Sequence, residues 1–288
     1  MNRKPILIAV LVLALVSMAC GINIDLPEEV KTGPKQVEPV SIPLPADPQL
    51  VTDLTLSFAG GKLHVGAGAE AALVDGTVTY NVPDFKPEIS ISGNNVRMTQ
   101  GDLTLRGIPN FEDTAINIWD LNLAAVPMDL HIKCGAYSGT FELGGLKLQR
   151  LTIADGASDV NLSFSSLNQT ELDLFEYTTG ASSVSMHQLA NANIDSMTFR
   201  AGAGSYTLDF SGTLQRDMTV TIEAGISSIT VVIPDGVRAE VDFEGGLSSV
   251  TTRGNWTKDE NSYSLAGSGP VIRIIVKMAA GSLDLRSE

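Results

Sequence analysis

The stretch Gly180–Val184 reads GASSV, and similar stretches recur as GASDV at Gly156–Val160, GAGSY at Gly202–Tyr206, GISSI at Gly225–Ile229 and GLSSV at Gly246–Val250. Their first glycines are 21 to 24 residues apart. We call each stretch a corner, because small residues allow the chain to bend there and allow neighbouring segments to approach closely.

Apolar residues alternate with polar residues on both sides of each corner. Leu151 and Ile153 precede Gly156, and Val160 and Leu162 follow it. This period of two predicts strands with one buried face. A repeating unit of twenty-odd residues predicts a solenoid, in which each unit buries its apolar face by stacking on the next. Further copies have corners at Ala59, Gly135 and Ala279, and a weaker copy spans Val96–Leu105.

The repeats predict an all-β fold, and we favour a parallel β-helix of about nine rungs. A sandwich or repeated hairpins would also use alternating strands, but would not require the corner to recur in one register. Gly66–Pro127 is less regular, so we divide the body into an N-terminal part of the solenoid, residues 50–145, and a regular C-terminal part, residues 146–288.

The N-terminus has the features of an export signal. Arg3 and Lys4 are positive, Ile6–Val16 is apolar, and small residues precede Cys20. The apolar run is shorter than the roughly 20 residues of a membrane span. The segment resembles a bacterial lipoprotein signal, which implies that residues 1–19 are removed and that Cys20 carries a lipid. An uncleaved anchor and simple secretion are the alternatives.

The next segment, residues 20–49, is rich in proline and predicts an extended tether between the anchor and the body. The net charge of −14 disfavours nucleic acid as a partner, since binding it requires basic patches that displace counterions. The only other cysteine is Cys134, so a lipidated Cys20 leaves no intramolecular disulfide.

The sequence predicts no catalytic residues, no metal site and no cofactor. His64, His131 and His187 are out of phase with the apolar positions of their strands, so we expect them to point to solvent. A zinc site needs three or four converging ligands, and only His131 and Cys134 lie close together in the sequence. The acidic segment Thr257–Ser262 is predicted to be a solvated hairpin tip, because it lacks the ligand spacing of a calcium loop.

Aromatic residues are the candidate contacts for a ligand or partner. Trp119, Trp256 and Tyr263 lie in the least regular segments, where loops are expected to project from the stack. Exposed aromatic side chains there could stack on sugars or anchor a protein partner. The alternative is that they cover a corner or an open end of the solenoid.

The repeated corners, the stretch Ile233–Val250 and the terminal IRIIVKMAAGSLDLR resemble the toast-rack, or adhesin-like, β-solenoid domains of bacterial envelope proteins, including the LiaF type. The resemblance covers most of the chain after about residue 50. It implies a single-stranded right-handed β-helix outside the membrane, with roles in adhesion, envelope-stress sensing or scaffolding. The LiaF-type regulators carry transmembrane helices, whereas this sequence shows only an N-terminal signal.

The sequence therefore predicts a non-enzymatic, lipid-anchored protein of the cell surface, whose β-solenoid binds an envelope protein or glycan. One alternative is a structural module that self-associates, since an uncovered terminal rung is a free strand edge. Another is a glycan-active enzyme, because β-helices also serve as scaffolds for such activities.

Overall fold

The computed structural model describes residues 32–101 and 115–288, which contribute to one 16-stranded sheet. In chain order the strands are β1 (Gln36–Ile42), β2 (Thr52–Ala69), β3 (Val74–Tyr80), β4 (Pro87–Ser92), β5 (Asn95–Gln100), β6 (Asn117–Ala124), β7 (Pro127–Glu142), β8 (Lys147–Ala154), β9 (Ala157–Ser163), β10 (Leu172–His187), β11 (Ile194–Asp209), β12 (Met218–Ile233), β13 (Val237–Arg253), β14 (Thr257–Asp259), β15 (Ser262–Leu265) and β16 (Ser268–Ser287). Two short 3-10 turns, Pro83–Phe85 and Leu189–Ala192, are the helical segments of the described residues. The all-β prediction is confirmed. Neither turn is long and apolar enough to cross a membrane, and no other helix is present in the described ranges.

Most strands run parallel to their neighbours and in register, so equivalent residues of different repeats form columns. Phe175 of β10 lies beside Met197 of β11, which lies beside Val220 of β12. All three side chains are buried. The alternating apolar residues therefore stack into a continuous core. We call each position in this parallel ladder a layer, whether it is filled by one strand or by two.

The corner glycines form one of these columns. A Cβ added at Gly180 would lie 2.4 Å from the carbonyl oxygen of Gly156, and one added at Gly225 would lie 2.3 Å from that of Gly202. Such distances are shorter than van der Waals contact, so only a residue without a side chain fits these two positions. The close stacking of backbones explains why glycine recurs in the same register.

Buried asparagines bind the backbone where the chain returns between layers. The Nδ2 atoms of Asn168, Asn191 and Asn193 donate to carbonyl oxygens of neighbouring segments at 2.8 to 2.9 Å. The Oδ1 atom of Asn168 also accepts from the backbone N–H of Leu148 at 2.9 Å. These amides satisfy backbone groups that a buried loop would otherwise leave without partners.

The layers do not stack in chain order at either end, although the sequence predicts that each repeat stacks on the next. From one end to the other the layers are β5 with β6, β2, β7, β8 with β9, β10, β11, β12, β16 and β13. The last strand of the chain, β16, is inserted between β12 and β13. The ladder is continuous across residue 145, because β7 pairs with both β8 and β9.

Antiparallel strands cover the end of the ladder formed by β5 and β6. Strand β4 pairs with β5, while β3 pairs with β6 and is itself covered by β1. The prediction of a tether over residues 20–49 is therefore wrong for Gln36–Ile42, which form β1. Val40 and Ile42 are buried there because they continue the alternating apolar pattern of the sheet.

The other end is covered over only part of its length. Strand β15 pairs with Ala239–Asp242 of β13, and β14 pairs with β15. These two strands form the hairpin predicted at Thr257–Ser262, and the tip residue Glu260 has a positive φ of 49°. Among the described residues no strand pairs with the outer edge of Gly245–Arg253, which we call the open edge.

Candidate functional site

A cluster of hydroxyl groups surrounds Asp155 at the corner of the layer formed by β8 and β9. Its carboxylate accepts hydrogen bonds from the hydroxyls of Tyr177 at 2.8 Å, Ser158 at 3.1 Å, Tyr137 at 3.2 Å and Thr179 at 2.5 Å. The donors come from three adjacent layers, which the parallel register brings together. The sequence analysis does not predict this cluster. The donors from other layers, Tyr137, Tyr177 and Thr179, are 18 to 24 residues from Asp155 in the sequence.

Burial determines the chemistry of this cluster. Burial raises the pKa of the Tyr137 and Tyr177 hydroxyls, and the negative charge of Asp155 raises it further. Burial likewise raises the pKa of the nearby Cys134 thiol, with Asp155 adding to the shift. The tyrosines are therefore protonated donors at neutral pH, and Cys134 is a thiol with little thiolate character. These residues hold layers together and provide no activated nucleophile.

The histidines are on the polar side of their strands, as predicted. His64 is exposed, and His131 and His187 are partly exposed. His131 lies 3.9 Å from Asp53, and His187 lies 3.7 Å from Asp209. Across residues 32–101 and 115–288, no three His, Cys, Asp or Glu side chains are grouped so that they could hold a metal ion.

Trp119 is not on a projecting loop, and the prediction of an exposed contact is wrong for this residue. It lies in β6, is completely buried, and its ring centroid is 5.1 Å from that of Phe58 in an edge-to-face arrangement. Its burial follows from the alternation of Trp119, Leu121 and Leu123, all of which face the core. Trp119 therefore contributes to packing beneath β3, which pairs with it at Val78.

Trp256 and Tyr263 both belong to the hairpin region beside β13. Tyr263 is in β15 and is only 5% exposed, with the Nζ atom of Lys258 5.5 Å from its ring centroid. Its ring covers the end of the ladder, as the capping alternative predicts. Trp256 lies in the turn between β13 and β14 and is half-buried, and its indole Nε1 atom is buried. Cys20 lies outside the described residues.

Charged residues form an alternating column beside the corners at the open end of the ladder. Arg200 of β11 lies beside Glu223 of β12, which lies beside Lys277 of β16, which lies beside Glu244 of β13. Glu223, Glu244 and Lys277 line a shallow groove with Met278 at this corner. The sequence alone does not reveal this column, because β16 is inserted out of chain order.

The sequence matches the family model of the N-terminal domain of toast_rack, DUF2154, over residues 31–187 and again over residues 167–232. No curated protein matches it significantly.

Several crystal structures also resemble the chain. One is a candidate cell adhesion protein from Clostridium sporogenes, with 18% identity, coverage of 88% of this chain and 100% of that chain, and a TM-score of 0.47. A candidate adhesin from Bacteroides fragilis has 10% identity, coverage of 88% and 97%, and a TM-score of 0.33. A candidate lipid binding protein from Parabacteroides distasonis has 8% identity, coverage of 89% and 99%, and a TM-score of 0.35. With TM-scores below 0.5, these likenesses support no conclusion about binding or activity.

Proposed function

This chain belongs to the family of toast-rack N-terminal domains, and from that premise we propose that it is a non-enzymatic, adhesin-like protein of the cell surface. One observation carries the proposal: the polar groups of the Asp155 cluster and of the buried Asn168 are used to hold layers together. The Asp155 carboxylate is occupied by four hydroxyl donors, and the Asn168 amide is occupied by the backbone. A rigid ladder of this kind presents a surface to another molecule without converting it.

The attachment to the cell belongs to the same proposal. Arg3, Lys4 and the apolar segment Ile6–Val16 direct export, and Cys20 carries the lipid that anchors the protein to the membrane. The chain after Cys20 then holds the ladder away from the membrane, where it contacts an envelope protein or glycan. We further propose that the protein senses envelope stress through this contact.

The finer description of the fold is also proposed. We expect the layers to wind as a right-handed parallel β-helix of about nine rungs, because connections between parallel strands are right-handed in about 98% of cases. The out-of-order layers at the two ends depart from simple winding. A crystal structure of the protein tests the winding, and a left-handed connection between β10 and β11 would contradict it.

Photo-crosslinking in cells tests the binding function. A photoreactive residue is placed at Trp256, which is partly accessible beside the hairpin, or at Asp173, which is exposed on β10 in the middle of the ladder. We expect at least one position to yield an adduct with an envelope protein or glycan. If neither gives a foreign adduct in a chain that added protease still reaches on intact cells, the proposed surface binding is wrong.

The anchor and the absence of enzyme activity need separate measurements. Cys20→Ala is expected to release the protein from the membrane fraction and to abolish incorporation of a fatty-acid analogue, while Cys134→Ala leaves both unchanged.

Incubation of purified protein with envelope glycans is expected to release no new reducing ends. Sustained release that is lost in a denatured sample would replace the binding function with a glycan-active enzyme.

A further inference from the structure

The open edge, Gly245–Arg253, is the outer side of the last layer of the ladder. Its residues are exposed or half-buried, and the side chain of Leu247 is 87% exposed. The inner side pairs with β16 from Leu247 to Arg253. Backbone N–H and C=O groups of a strand alternate between its two sides, so an uncovered outer side presents a row of donors and acceptors to another strand.

Apart from Arg253 at its end, the open edge lacks the charged side chains and the proline that usually protect an exposed strand. Such strands are blunted by charged side chains, proline, bulges or a short length. The outermost strands of the opposite end carry Pro39 in β1 and Pro87 in β4, and each has an adjacent glutamate. Gly245–Thr252 contains no proline and no charged residue. The edge is therefore suited to pairing with a strand.

The charges that flank the open edge are opposite in sign. Glu244, at its start, is the last member of the alternating column and has only Lys277 as a charged neighbour in that column. Arg253, at its end, lies beside Arg286, and both guanidinium groups share the carboxylate of Asp284 at 3.8 and 2.8 Å. One end thus terminates in a negative charge, and the other carries two guanidinium groups beside one carboxylate.

We propose that the open edge of β13 binds the open edge of a second copy of this chain in an antiparallel, twofold symmetric pair. With the twofold axis at Ser249, antiparallel pairing of two identical edges places Glu244 of each copy opposite the partner's Gly254, one residue from the partner's Arg253. Parallel pairing would instead place like charges together. The charges on the edge therefore select both the partner and its direction.

Symmetry fixes the register of this pair. In an antiparallel pair, residues that face each other have their side chains on the same side of the sheet, while successive residues of one strand alternate between the two sides. The twofold axis perpendicular to the sheet must therefore relate a residue to the same residue of the partner, and it cannot pass between two successive residues. The uncovered segment runs from Gly245 to Arg253, since the backbone N–H of Phe243 is bound to Asn261. Its central residue is Ser249. The axis at Ser249 places Leu247 opposite the partner's Thr251.

The fold allows a closed pair but not a filament. End-to-end growth would require the open edge to pair with the opposite end of another copy, where the outermost strands β1 and β4 contain proline. Proline cannot donate a backbone hydrogen bond to an added strand. The pair uses the same surface of both copies and is complete with two chains.

Disulfide trapping in the full-length protein tests the register. Ser249→Cys places thiols on the twofold axis, where facing Cβ atoms are about 4.5 to 5.5 Å apart, close enough to be bridged after a small shift. Ser228→Cys is the matched control, because Ser228, Ser282 and Ser249 occupy one column in β12, β16 and β13. We expect mild oxidation to give a covalent dimer at least about tenfold faster for Ser249→Cys.

A charge introduced at the axis tests the interface in a different way. Ser249→Lys places two ammonium groups opposite each other, whereas Ser228→Lys adds the same charge two layers away. Sedimentation velocity of the full-length protein in detergent is expected to show a concentration-dependent dimer for the wild type and Ser228→Lys. We expect at least about tenfold weaker dimerisation for Ser249→Lys, with an unchanged far-ultraviolet circular dichroism spectrum.

Three results would overturn the proposal. The wild type could remain monomeric at every concentration, Ser249→Cys could crosslink no faster than Ser228→Cys, or its thiol could capture a different protein in preference to a second copy. None of these results bears on adducts from Asp173, so failure of the pair and failure of the proposed surface binding can be distinguished.

Discussion

The two ends of the ladder are built from similar repeats but are finished differently. At one end β5 and β6 are covered by β4 and β3, and β1 adds a further antiparallel strand. At the other end β15 covers only Ala239–Asp242 of β13, and the open edge remains. A repeat protein must cover or protect its terminal layers to remain soluble. Within residues 32–101 and 115–288, one terminal layer is covered by further strands, whereas no strand pairs with the outer side of Gly245–Arg253 in the other.

The same difference appears in the side chains. At the closed end Trp119 is fully buried beneath β3, and its ring packs against Phe58. At the open end Val250, which faces the core column of Leu283, is only half-buried. Trp119 is thus fully buried beneath a covering strand, whereas Val250 has no such strand and is only half-buried, and mutations should have correspondingly unequal effects.

The largest expected contrast comes from truncating these two residues. Trp119→Ala should lower the free energy of unfolding by about 3 to 5 kcal/mol, because it leaves a large cavity in a closed core. Val250→Ala should lower it by about 1 kcal/mol or less, because the site is partly solvated and can relax. Equilibrium urea unfolding of the full-length protein in detergent measures both. Equal losses would show that the two ends are packed alike.

The corner column gives the next contrast. Gly180→Ala adds a Cβ that meets the Gly156 carbonyl oxygen at 2.4 Å between two fixed layers, so we expect a loss of about 1 to 3 kcal/mol. Gly246→Ala meets the Ala279 carbonyl oxygen at 3.0 Å, and the terminal layer can shift outward. Its expected loss is below about 1 kcal/mol. Thermal unfolding midpoints rank the two variants, and a larger effect at Gly246 would refute the outward relaxation.

The glycine corners and the apolar alternation were sufficient to predict strands, an all-β fold and a repeating unit. The order of layers was not predictable, because every repeat presents the same template to its neighbours. The hydropathy of β16 is the signal that was available. Ile272, Ile274 and Val276 are completely or nearly buried between two layers, whereas β13 ends in the polar stretch that forms the open edge.

The errors at the candidate site have a similar origin. The irregular corner spacing around Trp119 predicts a loop, although the alternation of Trp119, Leu121 and Leu123 indicates a strand. The Asp155 cluster depends on contacts between layers, and these follow from the register rather than from proximity in the sequence. Local patterns therefore predicted strands more reliably than sites.

Carboxylates near the two ends should differ in their dependence on pH. Glu142 in β7 accepts hydrogen bonds from the backbone N–H groups of Gly144 and Ser165 at 3.0 and 2.9 Å. Burial alone would raise its pKa, but these bonds and those from the Ser163 and Ser165 hydroxyls outweigh burial and hold the pKa below its usual 4.5. At the open end, burial opposes but does not outweigh the hydrogen bond from Arg286, so the pKa of Asp284 is also lowered.

A lowered pKa in the folded state stabilises the protein above the pKa of the unfolded state, and the stabilisation is lost as the pH falls through the folded value. Glu142→Gln should therefore lower the free energy of unfolding by about 1 kcal/mol at pH 7. The difference should shrink as the pH falls below the usual glutamate pKa of 4.5 and through the lower folded-state value. Asp284→Asn should have a smaller, salt-sensitive effect, because its partners are charged side chains near the surface. Urea unfolding at pH 7 and pH 3 checks both expectations, and a Glu142→Gln difference that persists at pH 3 would contradict the linkage.

The smallest change in the free energy of unfolding is expected for substitution of Leu247. This substitution tests the open edge separately from the rest of the ladder. Leu247→Ser in the Ser249→Lys background should change the free energy of unfolding by no more than about 0.5 kcal/mol, because the side chain is 87% exposed in a single chain. In a wild-type background the same substitution should weaken dimerisation, since Leu247 then loses its contact with the facing strand of the second copy. A loss above about 1 kcal/mol in the Ser249→Lys background would mean that part of the same chain covers the edge. That result would remove the distinction between a closed end and an open one, on which the twofold pair depends.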